Sequence, residues 1–580
     1  MRFRANNELR WGLSALLVAS GGAALASHPL FVAVAGNRRA YELGTGVLLA
    51  IAALVTVVWP RGDEPQDSRR PRLWSAALTV GAGVVLLFWV AFRLLPAVFA
   101  GPPDPTRGDM LVIIEHAIAR LLQGQSPYAV HHVPWDAPLS YGPLLWLPHV
   151  FPYLLRMDFR ILTLAAQFVI PFCCFLAAGI RAGQGDARRA ALLFGLGAGT
   201  ALHPGLMEFH QIGHTQVYWP LLPVLCLLLQ QKRWTPAAIC LGALTSARTP
   251  MLALAPVFFL YLRAMNVRTV NRMLAFGAAV LLPYLPFLLV DAHAVKNGVF
   301  DTYVTVMKGY VWRSTDWAVA TYGVTGRLLQ YGLERYVEVV QLVSLGLVYV
   351  AAKHALARGS RVEPWLAMAL LVFAMTTLWS VIYLYFDVWL LLVSALVVYD
   401  GSWSVLSLRR PVSAVACATL GSSAIVLVAA GVHPGAAYVV DIGAPAATGY
   451  TGAGFGSDVT EHDDGRSIVW VEGATARIRV PRAGWSGATL RLGVKPYIAG
   501  PGAHQSVMAS LNGRVLGRTV LQPGWQEISF RSRRRDWLYG FNVLELSFAY
   551  AAAAPGISNV STPSGEPREL SAAVDFLRIE

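Results

Sequence analysis

The chain has 580 residues, 55% of them apolar and only 14% charged, with a formal net charge of +14 and a mean hydropathy of +0.50. Soluble domains run at about 25% charged, so an ordinary cytosolic enzyme is excluded. The apolar residues come in runs near bilayer length, about 20 residues per helix, and the positive charge has to be mapped onto loops before it can suggest nucleic acid.

In chain order, apolar stretches predict spanning helices at roughly 11–34, 42–60, 73–99, 160–180, 190–204, 217–231, 235–247, 249–263, 272–290, 337–352, 364–381, 385–400 and 411–431, about 13 in all. Ala24-Leu25-Ala26 fits a leader-cleavage pattern, but the apolar run resumes through 29–35, so the first stretch is read as an uncleaved anchor. Spans such as 235–247 are short and require tilting, hairpin pairing or burial in a bundle. All five cysteines (Cys173, Cys174, Cys226, Cys240 and Cys417) fall inside apolar runs, which argues against a disulfide framework.

Basic residues set the orientation. Arg2, Arg4 and Arg10 precede the first span; alternate loops then carry Arg61, Arg69, Arg70 and Arg72, next Arg181, Arg188 and Arg189, next Lys232 and Arg233, next Arg263, Arg268 and Arg272, next Lys353, Arg358 and Arg361, and last Arg409 and Arg410. The positive-inside rule makes that side the cytoplasm; Arg38 and Arg39 are the one clear objection. The pattern predicts a multi-pass protein of the bacterial inner membrane, N-terminus inside, with residues 101–159 on the outer face. That loop holds two short apolar patches, Leu111–Leu122 and Leu144–Leu155, expected to lie as interfacial helices. Met110, Ile113, Ile114, Ala117, Leu121 and Leu122 form an apolar face on the first, opposite Glu115, His116 and Arg120.

Residues 1–431 therefore read as a transmembrane domain and 432–580 as an extracytoplasmic all-β sandwich. The second part alternates apolar and polar residues over 467–471, 476–480, 489–492, 507–511, 527–530 and 543–548, with Asn512-Gly513 as a type I′ hairpin signal. About eight strands are expected. Trp470, Trp485, Trp525 and Trp537 have two readings, a sugar-stacking platform or sandwich core, with core favoured for most of them. Arg531 with Arg533–Arg535 reads as a solvated or headgroup-facing patch.

The chemistry concentrates in the outer loop, which runs Arg107-Gly108-Asp109, the amphipathic helix, Gly124-Gln125-Ser126-Pro127-Tyr128, and Tyr141-Gly142-Pro143-Leu144. A carboxylate just ahead of an interfacial helix can cap that helix or accept a proton from a hydroxyl whose partner substrate is lipid-linked. Further on come Gly213-His214-Thr215-Gln216, the basic turn Gln231-Lys232-Arg233, and Ala247-Arg248-Thr249-Pro250. In this order and spacing the elements resemble the GT-C superfamily of integral-membrane glycosyltransferases, in particular glycosyltransferase family 87, over roughly residues 75–400. Gly142, His214 and Arg248 stand where that family has Pro, Gln and Lys.

The resemblance implies a polyprenyl-phosphate-linked sugar, mannose first, as donor and a lipid or glycan as acceptor. It implies Asp109 as general base, no nucleic-acid partner and transfer on the outer face beside membrane lipids. Arg248, His214, Gln216, Arg313, Tyr128 and Tyr141 are the candidate donor-phosphate or substrate contacts, since a leaving phosphate needs fixed cations and a basic residue between two spans is costly unless paired or facing a wet cavity. His210, Lys296 and Lys308 are weaker cation candidates; the two lysines read equally as solvated loop residues. Asp387 is either a ligand contact or a buried hydrogen-bonded carboxyl. No cofactor is expected; a divalent cation stays open, because some enzymes of the superfamily need one, although His131, His132, His149 and Asp136 match no standard metal spacing. The alternative functions are a transporter or flippase for a lipid-linked saccharide, and a non-catalytic glycan-binding assembly subunit; no inverted repeat supports the former.

Overall fold

The computed structural model describes residues 73–99, 103, 108–132, 136–155, 157–212, 215–313, 321–399, 412–432, 438–444, 447, 450–456, 461–463, 465–480, 487–538, 542–553 and 568–580, with Val18, Gly22 and Leu25. Apart from those three residues, the expected spans at 11–34 and 42–60 lie outside the described residues, as do His214 and Trp485. The chain is mostly helical and ends in an all-β region of antiparallel sheets.

Among the described residues three helices are long and apolar enough to cross a membrane: Leu73–Leu95, Phe159–Gly183 and Glu334–Ala357. The bent pair Val270–Leu281 and Leu285–Val311 makes a fourth if it is one span, and Leu221–Gln230, Thr249–Ala264, Glu363–Thr376, Ile382–Val398 and Val415–Ala430 are shorter apolar helices. Phe159–Gly183 is the central one, 89% of its apolar window being buried, and it packs on Leu73–Phe99, Ala187–Ala201 and Val412–Val432. Its N-terminus is capped by Asp158, which accepts from the Arg160 amide at 2.8 Å and also pairs with the Arg160 guanidinium at 2.6 Å. Asp186 caps Ala187–Ala201 in the same way through the Arg189 amide.

Helix ends follow local chemistry. Lys232 takes a positive φ of 56° to reverse the chain between Leu221–Gln230 and Trp234–Ala247. Trp234–Ala247 stops at Arg248, whose backbone is extended (φ −142°, ψ 110°), and a 3-10 turn carrying Pro250 follows; proline has no N–H to continue the ladder. In the 101–159 segment the first amphipathic patch is one helix, Met110–Leu122, burying Leu111, Val112, Ile113, Ile114, Ala117 and Ile118. The second is not the single interfacial helix expected. It is a run of short helical pieces: Pro143–Trp146, a 3-10 turn Leu147–His149 that carries Pro148, and Val150–Leu154. A short hairpin joins the patches, pairing β1 (Val130–His132) with β2 (Asp136–Pro138).

The β-region has more strands than the alternation suggests. One sheet orders β10 (Gln526–Arg531), β7 (Thr489–Pro496), β13 (Glu569–Ile579), β5 (Arg466–Glu472) and β4 (Glu461–Asp463), with β3 (Tyr438–Asp441) and β12 (Ala552–Ala553) also on β13. The other orders β6 (Thr475–Val480), β11 (Asn542–Phe548), β8 (Gln505–Leu511) and β9 (Arg514–Leu521). Their apolar faces share one core that includes Leu490, Leu492, Val574 and Leu577 from the first sheet and Ile478, Leu511, Leu544 and Leu546 from the second. The β8–β9 turn places Asn512 and Gly513 at φ 53° and 80°, the left-handed pair of a type I′ hairpin. Trp537 is buried in this core; Trp470 belongs to a separate small cluster, with Tyr497 and Trp525 packed against it.

Candidate functional site

The site forms where three chain segments leave their helices. Arg248 closes the helix Trp234–Ala247, Asp387 lies in the first turns of Ile382–Tyr399, and Tyr218 and Trp219 precede Leu221–Gln230. Asp387 is fully buried. Its Oδ1 accepts from the Tyr218 hydroxyl at 2.6 Å and from the Trp219 indole N–H at 2.8 Å. Its Oδ2 faces Arg248 Nε at 3.9 Å, and neither of those two buried atoms has a hydrogen-bond partner among the described residues. The guanidinium carbon sits 4.6 Å from the Tyr383 ring centroid and 5.7 Å from that of Tyr218. A cation so enclosed, only 8% exposed, is held by a carboxylate and two aromatic faces.

The 101–159 segment comes within electrostatic reach of the same place. Tyr141 feels the charges of both Asp109 and Arg248, and Tyr383 feels both as well. Burial pushes the Tyr141 hydroxyl above its ordinary range; the Asp109 charge adds to that and Arg248 opposes it. The Tyr141 hydroxyl therefore stays protonated. Asp109 occupies the N-cap position of Met110–Leu122, and its side chain makes no capping hydrogen bond there. Thr215 ties the segment before Tyr218 to the start of this helix, its hydroxyl 3.9 Å from Met110 Sδ.

Gly142 explains how loop and helix can come so close. A Cβ there would lie 1.7 Å from the Ser246 carbonyl oxygen and 2.7 Å from the Tyr284 hydroxyl. Glycine at 142 thus permits a close approach to the backbone just ahead of Arg248.

The remaining candidates divide. Gln216 is buried, and its amide donates to Gln167 Oε1 at 3.4 Å, leaving Gln216 Oε1 without a partner among the described residues. Tyr128 is 2% exposed; its hydroxyl donates to the Tyr141 carbonyl and accepts from the Trp146 indole, both at 3.2 Å. It holds Tyr141's backbone and offers no surface to a ligand. Arg313 is exposed at the end of the 297–313 stretch. Lys296 and Lys308 pair at the surface with Asp301 and Glu338, at 2.8 and 2.6 Å. His149 is fully buried against Phe159, and burial lowers its pKa to about 4. Among the described residues no three His, Cys, Asp or Glu gather closely enough to hold a metal ion.

Sequence reasoning left Tyr218, Trp219 and Tyr383 unassigned and gave Asp387 no partner. One signal was available: a carboxylate inside one apolar run and a guanidinium at the end of another predict each other, because each is costly alone in such surroundings. Comparison with protein-family models and with curated proteins finds no match for the chain.

Proposed function

We propose that the chain is a polytopic membrane glycosyltransferase of the GT-C type, with about 13 spans. It transfers a sugar, mannose first, from a polyprenyl-phosphate donor to a lipid or glycan hydroxyl on the outer face of a bacterial inner membrane. The observation that carries this reading is a half-buried carboxylate, Asp109, that makes no capping hydrogen bond to its helix and lies within electrostatic reach of the same tyrosine, Tyr141, as the buried guanidinium of Arg248. A base and a phosphate-binding cation within electrostatic reach of one polar side chain are what sugar transfer from a phosphate donor requires.

In this scheme Asp109 takes the acceptor hydroxyl's proton as the oxygen bonds to the anomeric carbon. The bond from that carbon to the donor phosphate breaks, and the phosphate leaves with the electron pair toward Arg248. Asp387, Tyr218 and Trp219 keep Arg248 in place.

Chain direction supports the outer location. Leu221–Gln230 runs from Tyr218 and Trp219 to the basic turn at Lys232, and Trp234–Ala247 runs back from that turn to Arg248. The site and the basic turn thus lie at opposite ends of the hairpin, as the positive-inside rule requires of an outer site.

The test is transfer of label from polyprenyl-phosphate-mannose by purified protein in lipid. Asn caps helices about as well as Asp, so Asp109→Asn is expected to melt like the parent while losing at least about a hundredfold in rate. Asp136→Asn, in β2 of the same loop, is the control and should stay within about threefold. Retained activity in Asp109→Asn removes the base assignment. Absence of transfer by the parent with every polyprenyl-phosphate sugar removes the reaction.

A further inference from the structure

The helix that begins at Asp109 is gripped from outside by the β-region. Arg479 donates through Nη1 to Glu115 Oε2 at 3.2 Å and through Nη2 to Glu115 Oε1 at 3.1 Å, a two-pronged pair across 364 positions of sequence. The side chains are 31% and 19% exposed, so the pair is partly withdrawn from water, where such forked contacts gain over open surface pairs.

Further contacts surround it. Arg479 lies on β6, the edge strand of its sheet, and that edge is closed by the segment 450–453. The Arg479 amide donates to the Tyr450 carbonyl at 2.7 Å, and the Arg477 amide to the Ala453 carbonyl at 3.0 Å. Tyr450 in turn lies within electrostatic reach of Arg160, at the start of Phe159–Gly183. Tyr153, in Val150–Leu154, lies within reach of both Glu115 and Arg479. One helix of the helical region therefore contacts this edge of the sandwich directly, and two more lie within electrostatic reach of it.

The helix held there needs holding. Met110–Leu122 is 13 residues long, and isolated helices of that length are marginal in water. Its apolar face is buried inward, while Glu115 projects toward the β-region. We propose that the β-region acts as a clamp on this helix, and that Arg479 is a positioning residue which sets the place of Asp109 through Glu115. The consequence for transfer rests on the reaction proposed above; the clamp itself does not.

Charge reversal in the full-length protein tests both halves. Arg479→Glu and Glu115→Arg should each speed hydrogen exchange of the 110–122 amides by about fivefold, the shift expected for losing one partly exposed pair, and the double reversal should restore parental protection. Unchanged exchange in the single variants, or no recovery in the double, overturns the clamp. In the transfer assay the single variants should lose kcat with the donor KM unchanged, and the double reversal should regain it. Altered exchange with unaltered kcat overturns the positioning role and leaves a purely structural contact. A parent without transfer activity counts against the reaction alone, since the exchange arm still decides the clamp.

Discussion

Arg248 carries a full charge at 8% exposure, so its stability depends on what surrounds it. The pair with Asp387 at 3.9 Å is too long to be a hydrogen bond, and two buried polar atoms face each other across the gap. Such a pair is expensive to break from one side and nearly neutral to replace from both, because an uncompensated buried charge is the costly state. Asp387→Asn should therefore destabilise the protein by about 3 kcal/mol, although its remaining oxygen can still accept from Tyr218 and Trp219. The double variant Asp387→Leu with Arg248→Met should recover most of that loss. Thermal unfolding in detergent of the parent, Asp387→Leu, Arg248→Met and the double variant measures the coupling. Additive losses would mean that the two side chains do not sense each other.

At the scale of elements, the apolar helices could be read from their runs because each is built from residues with one solvent preference. What could not be read was how they break. Pro148 falls in a 3-10 turn that interrupts the second patch of the 101–159 segment, and β9 is hidden because it is an edge strand whose Arg514, Gly517 and Arg518 interrupt the apolar alternation. The site was legible in part. Asp109, Tyr141 and Arg248 stand out as polar residues at the ends of apolar segments. Tyr218, Trp219 and Tyr383 are ordinary aromatics in sequence and acquire meaning only from Asp387 and Arg248. Gly142 shows the same limit, since nothing local in the sequence says that a backbone carbonyl will lie against it. Gly142→Ala forces the outer loop away from Ser246, as the added carbon would sit 1.7 Å from the carbonyl oxygen. Overpacking of this kind costs about 1–3 kcal/mol. The displacement should move Tyr141 off Arg248, so transfer should fall by at least about tenfold, since small misplacements of reacting groups are costly. An alanine variant with parental rate and melting temperature would mean that the loop has room to shift.

At the scale of the whole molecule, the Glu115–Arg479 contact constrains how the chain can cross a membrane. Residues 110–122 and 475–480 touch, so both must lie on one side, and the chain between them must cross an even number of times. The basic turns predict that this side is the outer one. Two exposed positions separate the possibilities in a Cys417→Ser background, which removes the one exposed cysteine among the described residues. Gln125 lies just after the Asp109 helix, and Ala187 opens the helix that follows Phe159–Gly183; both are exposed. An impermeant thiol reagent applied to intact cells should label Gln125→Cys and spare Ala187→Cys, while opening the cells should expose both. Labelling of Ala187→Cys with protection of Gln125→Cys would invert the protein in the membrane. Arg248 and Asp109 would then face the cytoplasm, where transfer from an outward-facing lipid-linked donor is impossible. Labelling of both in intact cells would place both positions on the outer side, and Phe159–Gly183 would then not cross the membrane.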